Sequence, residues 1–129
     1  MNCPVCNDPM VVLELDQVEV DHCLTCGGVW LDAGELKLLL EGAENRDQLL
    51  GTFKVVKKTS EDKIRCPICS KYMTKMLCGA TRGVWIDSCP KNEGLWFDRG
   101  ELTAIVEMCD FPADRRLLQL LKGVFGKSG

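Results

Sequence analysis

Val20-Asp21-His22-Cys23-Leu24-Thr25-Cys26-Gly27-Gly28-Val29-Trp30-Leu31-Asp32-Ala33-Gly34-Glu35-Leu36 is the stretch that decides the fold. It holds a Cys-x2-Cys pair, two glycines that let the backbone turn closely around sulfur, and an apolar run. It ends in an acid three residues ahead of Glu35, the pattern of a capping box opening a helix. Upstream, Cys3-Pro4-Val5-Cys6 supplies a second pair, separated from Cys23 by sixteen residues. That spacing suits a structural zinc site. Each pair occupies a tight knuckle turn that aims two sulfurs at one point. A hairpin of Met10–Leu15 and Val18–Asp21, turning at Asp16-Gln17, carries the second knuckle back to the first. Four thiolates then meet about 2.3 Å from a tetrahedral ion with no open position. Iron suits four such sulfurs as well.

The pattern returns. Cys3-Pro4-Val5-Cys6 recurs as Cys66-Pro67-Ile68-Cys69, Cys23 as Cys89, Trp30 as Trp96, Asp32 as Asp98, and Gly34-Glu35-Leu36 as Gly100-Glu101-Leu102. Three residues are added within 71–87, a small change for a loop. The second hairpin is expected over Thr74–Cys78 and Gly83–Asp87, with Gly79–Arg82 as its turn. Leu36, Leu39 and Leu40, and Leu102, Ile105 and Val106, give each copy one apolar helix face. Gly42 ends the first helix. The expected fold is a small, metal-stabilised α+β protein of two tandem units, each a zinc-knuckle β-hairpin followed by a short helix. Unit one spans 1–42, a connector with a short helix and one strand 43–65, a degenerate unit two 66–109, and a C-terminal helix 110–129. Leu117, Leu118, Leu121, Val124 and Phe125 fall at helical spacing in that last segment, which is expected to pack on its own copy. Half of so short a chain is small for an independent apolar core, so a metal staple is expected in each unit.

The second metal set is incomplete. Cys66, Cys69 and Cys89 match, but Asn92 stands where copy one has Cys26, and Glu93 replaces Gly27. An amide oxygen is a poor substitute for thiolate on a borderline-soft ion. Three arrangements follow: three thiolates with Asn92, another residue or water as fourth ligand; Cys78 swinging in; or weak metal binding. The first is preferred, and Cys78 is read as a small hydrophobe facing the core. Cys109 lies beyond the second helix and reads as a spare thiol. His22, next to a ligand, is expected to point away from the metal onto the surface. Trp30, Trp96 and Trp85 are expected as the apolar pack beneath the sites.

Nine cysteines against one histidine, in a chain with no leader-like apolar stretch, favour metal thiolates in a reducing, cytoplasmic setting over disulfides. No apolar run of the 129 residues is long enough to cross a membrane. Sixteen basic and nineteen acidic residues give a formal charge of -3, and each ion held by four thiolates deepens it. Such a chain lacks the cationic field that gathers phosphate or an anionic membrane surface. Lys54, Lys57 and Lys58, and Arg115-Arg116, read as solvated edges and faces.

Val20 to Leu36 resembles the small prokaryotic transcription-factor-IIB-like zinc-finger family, whose pattern runs Cys-Pro-x-Cys, hairpin, Cys-x-x-Cys-Gly-Gly-x-Trp-Leu-Asp-x-Gly-Glu-Leu. Ile86 to Leu102 resembles it too, lacking the last cysteine. The resemblance implies a zinc ribbon with structural zinc and a link to transcription by analogy of fold. One zinc is expected in the first site, and the incomplete second site leaves room for another. The functional expectation is a non-enzymatic interaction module that contacts a protein partner. A sequence-specific nucleic-acid binder, built on Lys54, Lys57, Lys58, Lys63 and Arg65, is the alternative. A zinc hydrolase or thiol redox protein using the incomplete second site ranks below both.

Overall fold

The computed structural model describes residues 1–56, 63–79, 83–112 and 116–125. Lys57, Lys58, Arg115 and most of the Gly79–Arg82 turn lie outside them. Each copy contributes three antiparallel strands: β1 (Val11–Leu15), β2 (Val18–His22) and β3 (Val29–Asp32), then β5 (Thr74–Cys78), β6 (Val84–Ser88) and β7 (Gly94–Phe97). Short helices follow as α1 (Glu35–Leu39) and α3 (Glu101–Glu107). The connector holds α2 (Arg46–Leu50) and the two-residue strand β4 (Lys54–Val55), and the chain continues into α4 (Leu117–Phe125). The first hairpin turns at Asp16-Gln17, both with positive φ, the pair of left-handed residues that a two-residue turn between twisted strands requires.

The two copies share one seven-stranded sheet, ordered β1-β2-β3-β7-β6-β5-β4. Strands β3 and β7, which would each be an open edge in a lone unit, pair with one another antiparallel. Trp30 stands opposite Trp96, its own counterpart, so a pseudo-twofold axis passes between them. The joint is close. A Cβ on Gly28 would sit 2.1 Å from Cζ2 of Trp96, and one on Gly94 would sit 2.4 Å from Cζ2 of Trp30. Each knuckle glycine is thus the seat for the other copy's tryptophan.

Strand alternation sends residues to two faces. Val29, Leu31 and Phe97 enter a core that also takes Leu36, Leu39, Ile105, Leu117 and Leu121. Trp30 and Trp96, fully buried on the opposite face, gather with the metal-site cysteines, Met10 and Met73 in a second cluster. Apolar packing therefore spans both copies. Helix α4 reaches beyond its own copy: besides α3 it contacts β1, and the ring of Phe125 meets that of His22 edge-on at 4.8 Å. Asn45 ties the connector to the end of α3, donating to Met108 O (2.8 Å) and accepting from the Asp110 N–H (2.7 Å).

The helix starts differ from the capping-box expectation. Glu35 accepts the Asp32 N–H at 2.6 Å and Glu101 the Asp98 N–H at 2.7 Å, but neither aspartate caps its helix. Their carboxylates accept the indole N–H of Trp30 and Trp96 instead, at 2.8 and 3.0 Å. Left-handed Gly34 and Gly100 open the helices.

Candidate metal centres

The Cys-x2-Cys turns form before any metal is considered. In three of the four knuckles the residue after the second cysteine (Asn7, Gly27 or Ser70) has positive φ and donates its N–H to the first cysteine's carbonyl, at 2.8 to 2.9 Å. Backbone N–H groups inside the turns point at sulfur: Val5 and Cys6 at Cys3 (3.4 and 3.3 Å), Cys26 at Cys23 (3.5 Å), Ile68 at Cys66 (3.4 Å) and Lys91 at Cys89 (3.3 Å). These dipoles favour thiolate and orient it.

The hairpin brings Cys3, Cys6, Cys23 and Cys26 together, with all four sulfurs within 4.8 Å of one another. Two ligands about 2.3 Å from a tetrahedral zinc stand about 3.8 Å apart. The sulfurs of Cys3 and Cys26 are 3.6 Å apart, and those of Cys69 and Cys89 are 3.7 Å apart. All nine cysteines are free thiols. Burial pushes the Cys23 thiol up, but the N–H groups of Cys26 and Thr25 and the adjoining thiols outweigh it and bring it down to about 7. Burial, assisted by the neighbouring thiols, holds Cys66 up at about 11 against its own amide bonds. A divalent cation replaces protons that such crowded sulfurs cannot all shed alone.

The second set is Cys66, Cys69, Cys89 and Glu93. Glu93 Oε1 lies 3.6 Å from Cys89 Sγ. Asn92, named at the sequence level as a candidate fourth ligand, is exposed; Glu93 supplies the oxygen. The reason lies in the turn. Asn92 has φ 60° and donates to Cys89 O at 2.9 Å, so the left-handed residue comes one position earlier than in the other knuckles. Asparagine tolerates that conformation better than most residues. The shortened turn rotates the next side chain toward the sulfurs. An asparagine at the ligand position, followed by an acid, was the signal in the sequence. Three thiolates and a carboxylate fit zinc, with Glu93 the one hard donor.

Other candidates resolve as follows. Cys78 is fully buried in the helix-side core, as expected of a small hydrophobe, with Thr52 Oγ1 3.9 Å from its sulfur. Cys109 is half-buried at the end of α3, its sulfur 3.5 Å from Ile105 O. The surface expectation for His22 is overturned: it is 7% exposed, and its Nδ1 donates to Gly28 O at 3.0 Å. It does point away from the sulfurs, but that side of β2 is the core, closed by Phe125. Trp85 also departs from expectation, being half-buried on the outer hairpin and outside the sulfur–tryptophan cluster.

A family model described as transcription factor zinc-finger matches residues 2–42 and 65–108, well over half of the chain. The chain belongs to the transcription factor zinc-finger family. Its two matched segments are the two sulfur-bearing copies, and this member of the family binds zinc through them. No curated protein and no solved structure matches the chain. Among the described residues of this zinc-finger protein, no helix is long and apolar enough to cross a membrane.

Proposed function

We propose that this protein is a non-enzymatic, zinc-stabilised interaction module that contacts a protein partner in a transcription setting in the cytoplasm. The observation carrying the reading is at the knuckle tips, where Val5, Leu24 and Ile68 hold large apolar side chains out in solvent. Rigid turns clamped on metal present these side chains at little further entropic cost on binding. The family description supports the transcription setting. Nine free thiols support a reducing compartment. The four-sulfur set favours a structural ion, and Glu93 completes the second set, which supports a non-catalytic role for both.

The test is affinity capture of the tagged, zinc-loaded chain from its native cells, compared with Val5→Glu, Leu24→Glu and Ile68→Glu variants of equal zinc content. A stoichiometric protein partner lost on these substitutions is the expected result. Recovery of nucleic acid instead, with binding that falls steeply with salt, would favour the nucleic-acid alternative.

A further inference from the structure

The fused sheet brings three distant parts of the chain around one recess of about 340 Å³. The first copy's second knuckle supplies His22, Leu24 and Gly27, and the second copy supplies Arg99. Gly123, Val124 and Phe125 enter from the end of α4. Across the pseudo-twofold axis the positions of His22, Leu24, Gly27 and Arg99 hold Ser88, Pro90, Glu93 and Ala33. The repeated fold therefore does not itself require this set of side chains.

Two polar groups are held on adjoining residues of one turn. His22, only 7% exposed, donates from Nδ1 to Gly28 O at 3.0 Å. A carbonyl can only accept, so Nδ1 carries the proton and the neutral ring keeps its lone pair on Nε2. Among the described residues, Nε2 has no hydrogen-bond partner. The Arg99 side chain lies across Gly27, where a Cβ would stand 2.6 Å from its Nε and 3.2 Å from its Cβ. Among the described residues, nothing accepts a hydrogen bond or forms an ion pair with its guanidinium. Leu24 and Val124, 72% and 43% exposed, join Phe125 as an apolar wall. A free cation, a fixed lone pair and apolar surface thus share one cavity.

We propose that this recess binds the C-terminal residue of a protein partner. The partner's carboxylate pairs with Arg99, its last amide N–H donates to His22 Nε2, and an apolar side chain packs on Leu24, Val124 and Phe125. A C-terminal residue carries these three groups on a single Cα, whereas an acidic side chain has no N–H beside its carboxylate. The volume is at the small end for ligand pockets and suits one residue. Zinc held by four thiolates leaves the knuckle negative, so the carboxylate depends on the charge of Arg99. The proposal rests on the reading of the chain as a protein-interaction module and names the element it recognises. Leu24 is both a knuckle tip and a wall of the recess, so the recess continues the surface assigned to the partner.

The experiment titrates fluorescein-labelled tetraglycyl-leucine, its C-terminal carboxylate free, with the zinc-loaded full chain and follows anisotropy. Arg99→Gln removes the guanidinium charge at an exposed position. Gly123→Leu fills the recess from α4, where an added Cβ meets nothing within 4 Å, so the fold tolerates it. Lys37→Gln, exposed on α1, removes the same charge elsewhere. One-to-one binding is expected, weakened about tenfold or more by Arg99→Gln and Gly123→Leu and less than about twofold by Lys37→Gln. The peptide ending in an amide should bind about tenfold more weakly or worse. An ester in place of the last peptide bond deletes the N–H that faces Nε2 and should weaken binding about fivefold. Equal binding of the amide or the ester, or equal weakening by Arg99→Gln and Lys37→Gln, would overturn the proposal. So would displacement of the peptide by equimolar acetate. Binding seen only once residues 126–129 are removed would assign the recess to the chain's own tail and overturn it too. If the peptide fails while a captured partner is still lost on Val5→Glu and Ile68→Glu, the recess is not a binding site and the module reading stands. Failure of both removes both.

Discussion

Asp21 and Asp87 occupy the same register position in the two copies, and their surroundings give them opposite energetic signs. Asp87 neutralises Lys75 in a buried pair. Asp87→Asn would remove the carboxylate charge 2.8 Å from that buried ammonium and should destabilise the protein by about 3–5 kcal/mol, read from the urea midpoint. Asp21 is held above its ordinary value of 3.8 by burial and by Asp32. Between that value and the raised one, the folded state binds more protons than the unfolded state, so stability falls as pH rises through this window. The penalty is complete at neutral pH. Asp21→Asn should therefore raise the urea midpoint at pH 7, and the gain should shrink as pH is lowered toward 3.8. Nothing at the sequence level separates these aspartates until Val12 and Lys75 are seen to stand opposite them.

The knuckles show how one residue of turn length selects a ligand. Where the left-handed residue follows the second cysteine, both cysteines of the pair reach the metal. Where Asn92 takes that conformation a position early, the side chain at 93 reaches it instead. Glu93→Cys should convert the second set to four sulfurs, and Asn92→Cys should not, because position 92 faces solvent. With a coloured chelator in excess, the wild type should release its two zinc ions at different rates, the faster from the Glu93 site, since a hard carboxylate holds zinc less well among thiolates. Glu93→Cys should slow the fast phase toward the other. Asn92→Cys should leave it fast while costing ~1 kcal/mol for a residue less suited to positive φ. Equal rates in the wild type would remove the carboxylate from the coordination. The helix starts teach a related lesson: the Asp-x-x-Glu pattern was legible, but which donor the aspartate would serve depended on an indole two residues back on the same strand face.

At the scale of the molecule, the two copies are one folding unit. The β3–β7 ladder, the exchanged tryptophan–glycine contacts and a core drawing on α1, α3 and α4 leave neither half a complete interior. Unfolding of the zinc-loaded chain should therefore be a single transition, with far-ultraviolet dichroism and tryptophan fluorescence coinciding. A fragment of residues 1–56 with zinc added should show no cooperative transition, because β3 becomes an open edge and Trp30 loses the glycine that seats it. Two separate transitions in the full chain would show instead that each metal organises its own copy. The requirement that metal supply what each small unit lacks in apolar core is eased here, since the copies supply a common core to one another.

Local spacing determined the repeat, the hairpins, the short helices and the four-sulfur set, because each depends on contacts within a few tens of residues and on the stereochemistry of tight turns. Only the tertiary structure decided that the copies fuse through Trp30 and Trp96, that His22 lies under Phe125, that Glu93 completes the second set, and that Lys75 pairs with Asp87 where Val12 faces Asp21. Those outcomes depend on which faces meet across the pseudo-twofold axis and on one backbone rotation at Asn92. Periodicity within a copy carries no record of either.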